Sequence, residues 1–194
     1  MDIPATTIES WEARYGTPVR WTHIQPVTPD NYAIIRGSQR DGRAHDITLY
    51  IAADGRIAVI AKPVYPPGMF RAPSGGLTPG ESLEAGASRE AYEETGLRIR
   101  LASYLLRVDV TFVEDTRRID WCTHVFSASA IDQKIAPVDH HEIREARWAL
   151  PSEFAAFGRM MRLTSHGGLH YRAALHEQVA AVHPLFLQYQ SANP

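Results

Sequence analysis

Five glutamates fall between Gly75 and Leu97: Glu81, Glu84, Glu90, Glu93 and Glu94. Glu90, Glu93 and Glu94 stand at i, i+3 and i+4, a spacing that places their carboxylates on one helix face within an arc of about 100°. Three like charges on one face repel, and a plain solvated helix relieves that with interspersed lysines; here Arg89 is the basic neighbour. A hard divalent cation relieves it better. Mg²⁺ takes carboxylate oxygens and fills its other positions with water and phosphate oxygens. Beside the acids, Gly75-Gly76 allows close approach of the backbone to a phosphate. Arg71 supplies a guanidinium that either grips a phosphate through two hydrogen bonds or closes a structural salt bridge. These parts suit phosphoryl chemistry, in which cations neutralise diphosphate oxygens and help generate hydroxide from water. For the general base the sequence offers Glu90, Glu114 and the loop acid Glu142, and spacing does not choose among them.

The elements that must position these residues are legible to different degrees. Pro79-Gly80 is a turn signal, Ser82 an N-cap and Gly96 a left-handed C-cap, with an Ala- and Glu-rich body between them, so a helix is predicted from Leu83 to Thr95. Glu81 lies just before it in a loop, and Gly86 falls on the acidic face one turn earlier and leaves that face open. Residues 45–52 and 56–62 read as strands joined at Asp54-Gly55, with Asp41-Gly42 as an earlier turn. Residues 63–68 form a loop. Residues 98–113 and 117–130 read as strands about Glu114-Asp115-Thr116, and 144–150 as a shorter one. Upstream, 7–15 reads as a helix, and 19–27 and 31–37 as strands separated by Thr28-Pro29-Asp30. At the C-terminal end 153–163 and 169–186 read as helices. His140-His141 reads as a solvated loop pair, because adjacent side chains point apart.

Composition narrows the class. The chain of 194 residues is 44% hydrophobic and 22% charged, ordinary for a globular protein. A net charge of −2 gives no electrostatic case for nucleic acid or an anionic membrane. The single cysteine, Cys122, excludes an internal disulfide and reads as a buried strand residue. With no basic, apolar leader at the N-terminus and no membrane-length apolar run, a reducing cytoplasmic setting is expected.

The order Gly75, five residues, Glu81, seven residues, Arg89-Glu90-Ala91, one residue, Glu93-Glu94, one residue, Gly96-Leu97 resembles the signature box of the Nudix hydrolases. Ala91 stands where that family usually has a bulky aliphatic, a departure that touches helix packing rather than metal ligation. The resemblance implies an α/β fold, an α/β/α sandwich with a mixed central sheet and a loop-helix-loop metal site. It implies Mg²⁺, with Mn²⁺ as a substitute, held by Glu90, Glu93 and Glu94 with Glu81 orienting or supplementing them. Arg89 ion-pairs with the carboxylates. By this carry-over Glu93, Glu90 and Arg89 serve catalysis; the residues themselves add Glu142 as a catalytic acid of the loop and Arg71 and Gly76 as substrate-binding candidates. The implied reaction is hydrolysis of a nucleoside diphosphate linked to another moiety, a small-molecule substrate. Residues 1–44 form an N-terminal extension, with a homodimer contact as one use for it, and 45–194 the hydrolase domain with its C-terminal helices. The downstream proline and tyrosine that mark two substrate classes in the family are absent, their places falling among Thr111, Phe112, Val113, Glu114 and Asp115. The competing reading is a non-catalytic Nudix-fold domain that binds nucleotide, which would be expected to have lost box acids; none is lost here. An isopentenyl-diphosphate-isomerase-like enzyme is the third, resting on Cys122 alone.

Overall fold

The structure is a computed structural model and describes residues 3–39, 42–78 and 80–192. The expected turns at Asp41-Gly42 and Pro79-Gly80 each include a residue outside that set. A seven-stranded mixed sheet forms the centre, in the order β1-β5-β6-β2-β3-β7, with β4 paired to β2 beside this path. Its strands are β1 (Val19–Pro26), β2 (His45–Ala53), β3 (Arg56–Ala61), β4 (Ser74–Gly76), β5 (Ile99–Glu114), β6 (Arg117–Ala130) and β7 (Glu145–Ala149). β1 runs parallel to β5, and β2 parallel to β6, while the β5–β6, β2–β3, β2–β4 and β3–β7 pairs are antiparallel. Helices cover both faces: α1 (Ala5–Tyr15), α2 (Pro29–Ser38), α3 (Leu83–Thr95), α4 (Phe154–Arg162), α5 (Gly167–Ala180) and α6 (Pro184–Ala192).

Alternation along the strands builds the two halves of the core. On β2, Ile47, Leu49 and Ile51 pack with Trp11 of α1 and with Leu83, Ala87 and Ala91 of α3. The intervening Tyr50 packs on the opposite face with Phe154 and Phe157 of α4, Leu175 and Val179 of α5 and Phe186 of α6. Asp54 and Gly55 both take positive φ (49° and 72°), the backbone that a two-residue hairpin turn requires. At the other end of β2, the antiparallel pairing of β4 with Asp46, Ile47 and Thr48 sets that end beside the box. None of the helices among the described residues is long and apolar enough to cross a membrane.

Two expectations are corrected. Residues 31–37 lie in a helix, not a strand: the Thr28 hydroxyl accepts a hydrogen bond from the Asn31 amide, Pro29 occupies the first turn and Asp30 follows it, a start signal that overrides the β-branched pair Ile34-Ile35. Ile34 is exposed, so its strand-like side chain has no core to join. The helix expected over 169–186 is two helices, because Pro184, which has no amide hydrogen to donate, starts α6 after a turn at 181–183.

Candidate active site

α3 carries the site, and its ends are fixed by its sequence. The Ser82 hydroxyl accepts from the Ala85 amide at 3.2 Å, and Gly96 ends the helix in the left-handed region at φ 75°. Gly96 has a second reason to be glycine: a Cβ there would lie 2.1 Å from the Ala136 carbonyl oxygen. Ala91, the departure from the box pattern, is fully buried against the sheet. Gly86 does not leave an open face. A Cβ there would stand 2.6 Å from Leu77 and 3.0 Å from Glu81, so the space is filled by the loop entering α3.

Arg89 organises the acids. Its Nε and Nη2 donate to the two oxygens of Glu81 at 2.9 Å each, Nη1 donates to Glu90 at 2.8 Å and to Glu93 at 3.2 Å, and Nη2 also reaches the Gly76 carbonyl at 3.0 Å. Glu81 accepts in addition from the Thr78 amide at 3.0 Å. The hydrogen bond from Arg89 holds the Glu81 carboxyl below its ordinary range against the opposing effect of burial. Glu81 therefore fixes the arginine that fixes Glu90 and Glu93. Gly75 is required for the same packing: a Cβ on it would fall 1.9 Å from the Glu90 carboxyl carbon.

Glu90, Glu93 and Glu94 line one side of a cleft of about 490 Å³. Burial raises the pKa of Glu90, Arg89 opposes that, and the charges of Glu94 and Glu93 raise it further. A cluster of hard oxygen donors with one member pushed toward protonation is a set that a divalent cation would relieve, and the donors fit Mg²⁺. The three acids differ in access: their side chains are 13%, 44% and 6% exposed for Glu90, Glu93 and Glu94. Glu94 already accepts from Arg71 Nη2 at 3.2 Å and from the Ser74 amide at 2.7 Å. Each of its oxygens keeps a further lone pair.

Arg71 reaches the cleft wall, and its guanidinium is spent on the protein. Nε donates to the Tyr65 hydroxyl, Nη1 to the Ala72 carbonyl and the Ser74 hydroxyl, and Nη2 to Glu94. Burial disfavours its charge, but Glu94 and Tyr65 more than offset this and the pKa is raised. Of the two uses open to Arg71 in the sequence, this geometry is that of the structural salt bridge. Gly76 lies beneath Arg43, whose guanidinium carbon would be 2.3 Å from a Cβ there. Among the described residues Arg43 has no carboxylate partner, and it lines the cleft.

The opposite wall comes from distant parts of the chain. The amides of Val138 and Asp139 each donate to the Glu93 carbonyl at 3.0 Å, so the loop after β6 is tied to the last turns of α3. That loop brings Asp139 and Glu142 into the lining, where Glu142 accepts from Lys62 Nζ at 2.7 Å. Two amides, those of Glu142 and His141, hold the Asp139 carboxyl below its usual range. Glu114 is outside the cleft lining and pairs with Arg117 across the β5–β6 turn, which removes it as a general-base candidate. Arg172 of α5 reaches in to bond Asp46 at 2.9 Å and Thr48 at 2.8 Å, and the Trp121 indole donates to the other Asp46 oxygen at 3.0 Å. Arg43, Asp46, Lys62, Trp121, Asp139 and Arg172 carry no sequence signal linking them to the box, since sheet order, the loop after β6 and the return of α5 bring them there.

A sequence model of the NUDIX domain matches residues 43–164, more than half of the chain. A curated Mycobacterium tuberculosis protein named as a mutator protein, MutT4, is 33% identical over 91 residues, which are 45% of this chain and 36% of the relative. The chain thus aligns with little more than a third of that protein's length. Among solved structures, a MutT NUDIX hydrolase from Burkholderia pseudomallei is 24% identical over 56% of this chain and 84% of its own, at a TM-score of 0.47. A NUDIX hydrolase from Nitrosomonas europaea is 20% identical over 57% and 59%, at 0.45.

Proposed function

The chain belongs to the Nudix family, and from that premise we propose that it is a metal-dependent hydrolase that cleaves the diphosphate linkage of a nucleoside diphosphate joined to another moiety. The observation that carries this reading is the Arg89 network, which ties Glu81 to Glu90 and Glu93, the latter two lining one cleft with Glu94. Glu90, Glu93 and Glu94 are the residues that would hold Mg²⁺, with Mn²⁺ as a substitute. When bound, the cation neutralises diphosphate oxygens and raises the acidity of water. Glu81 keeps Arg89 in place and does not need to reach the cation.

Other cleft residues take the remaining roles. Arg43 is the guanidinium available to a phosphate, since Arg71, Arg89 and Arg172 are already bonded to carboxylates. Gly76 leaves room for it. Glu142 accepts the proton of the attacking water. Its side chain is 61% exposed, it lines the same cleft as the box acids, and Lys62 orients it through one oxygen. Trp121, with its indole N–H already bonded to Asp46, offers the cleft an aromatic ring against which a base stacks.

The test is a hydrolysis screen across nucleoside diphosphate derivatives with Mg²⁺ or Mn²⁺, with EDTA, and with variants in parallel. Glu93→Gln is expected to weaken metal binding and lower kcat together. Glu142→Gln is expected to lower kcat by about 10²–10⁴-fold and flatten the acid limb of the pH–rate profile while metal affinity stays unchanged. Tight nucleotide binding without turnover across the panel would replace this reading with that of a nucleotide-binding domain.

A further inference from the structure

A second group of ligating side chains lies outside the acid cleft. Side chains alternate along β2, so His45 points away from the cleft into which Asp46 projects. His45 is paired in register with Cys122 of β6, and His124 follows on the same face of that strand. His45 Nδ1 lies 3.0 Å from His124 Nε2, and Cys122 Sγ lies 3.6 Å from the same nitrogen. The three donor atoms all fall within 4.8 Å of one another. In a tetrahedral zinc site, with bonds of about 2.0–2.1 Å to nitrogen and about 2.3 Å to sulfur, neighbouring N and S ligands stand about 3.6 Å apart and two N ligands about 3.4 Å apart. The Cys122–His124 pair already stands at the first separation, and turning the partly exposed His45 ring adjusts its distances to His124 and to Cys122, which lies within 4.8 Å.

The surroundings supply what such a site needs beyond ligands. The Tyr104 hydroxyl lies 2.5 Å from His124 Nδ1 and fixes that ring with Nε2 toward His45 and Cys122. Trp11 and Phe126 wall the inner side, Trp11 edge-on to His124 at 5.2 Å. On the outer side a pocket of about 340 Å³ opens onto His45 and Cys122, giving a route of entry and room for a fourth ligand. Asp109 lines that pocket directly across the ladder from Cys122. In the metal-free arrangement one proton lies between His45 Nδ1 and His124 Nε2; a cation takes its place, the proton moves to His45 Nε2, which gives up its long 3.4 Å hydrogen bond from the Ile3 amide, and the thiol proton leaves to solvent.

We propose that His45, Cys122 and His124 form a second metal site, for a borderline-soft divalent cation of the zinc class, separate from the all-oxygen cleft that suits Mg²⁺. It joins the start of β2 to β6 beneath α1, so its role is to brace the end of this central strand pair from which Asp46 enters the cleft.

The test is a Co²⁺ titration of the full chain after chelator treatment, read by absorption. A thiolate-to-cobalt charge-transfer band is expected, saturating at one equivalent and bleached by Zn²⁺. It should vanish in Cys122→Ser and persist in Glu93→Gln. His45→Gln, at a partly exposed position, guards against a variant that fails to fold: it should keep the band and weaken Co²⁺ at least ~10-fold, since even an orienting partner's loss costs that much. The absence of a charge-transfer band in the unaltered chain at saturating Co²⁺ would overturn the proposal. So would a band that survives Cys122→Ser, or a His45→Gln variant that binds Co²⁺ as tightly as the unaltered chain.

Discussion

Arg89 and Arg71 are both arginines bonded to box acids, yet they do different work. Arg89 is one-third exposed and bridges three carboxylates, a task that needs a fork of donors at fixed angles. Arg89→Lys keeps the charge and loses the fork, so a fall of about 10–100-fold in metal affinity or activity is expected, readable by Mn²⁺ titration. Arg71 and Glu94 are buried at 5% and 6% side-chain exposure. Removing one partner leaves the other charge uncompensated, and Glu94→Ala is expected to cost about 3–5 kcal/mol in urea unfolding. An Arg71→Met, Glu94→Leu double variant should recover much of that stability and none of the activity. Gly75→Ala places a Cβ where the Glu90 carboxyl sits, so it should retain the fold while weakening metal binding. The sequence named these residues because their chemistry is written in type and spacing. It placed Arg89 on the carboxylates but left Arg71 between a phosphate and a salt bridge, because burial, not identity, decides whether a guanidinium stays available to a ligand.

At the scale of elements, α3 was legible because its signals are local: Ser82, the Ala- and Glu-rich body and Gly96 fix it without tertiary help. The hairpin at Asp54-Gly55 and the long β5–β6 pair were readable for the same reason. α2 was misread because its apolar pair resembles a strand while its start signal at Thr28-Pro29-Asp30 is that of a helix. The wall of the cleft opposite α3 was hidden, since Arg172 on α5 and Asp139 on the loop after β6 meet Asp46 only through sheet order and helix packing. α5 also carries a pH-sensitive group. His176 lies among Tyr50 and Phe154 with both nitrogens lacking a hydrogen-bond partner among the described residues. Burial, with the nearby charges of Arg172 and Arg71, pushes its pKa down to about 3, and burial pushes His183 down to about 4. A folded pKa below the unfolded value of about 6.5 means stability that is intact above that pH and lost as pH falls toward the folded values. Thermal unfolding should therefore show an acid limb between about pH 6.5 and 4, of up to ~1.4 kcal/mol per pH unit for each group. His176→Leu should make that limb shallower and leave stability at neutral pH equal or higher.

Across the whole molecule, the sheet divides the labour. One core half seats α1 and α3 and holds the acids rigid; the other seats α4, α5 and α6 and sends Arg172 through to the cleft. β1, from the stretch read as an extension, is an edge strand of the same sheet, paired in parallel with β5 along its length. The family match ends at residue 164, before α5, so the helix that supplies Arg172 to the cleft lies outside the matched stretch. Arg172→Ala is accordingly expected to raise KM more than it lowers kcat, which would mark α5 as a substrate-side addition. The central claim, that the Gly75–Leu97 box is a working hydrolytic centre, is tested most directly with H₂¹⁸O. The substrate that turns over with Mg²⁺ is hydrolysed in labelled water and its products are read by ³¹P NMR or mass spectrometry. One ¹⁸O should appear on a phosphate of one product, with both label and turnover abolished by EDTA and sharply reduced in Glu93→Gln. Label entering at a carbon, or turnover indifferent to EDTA and to Glu93→Gln, would contradict the account.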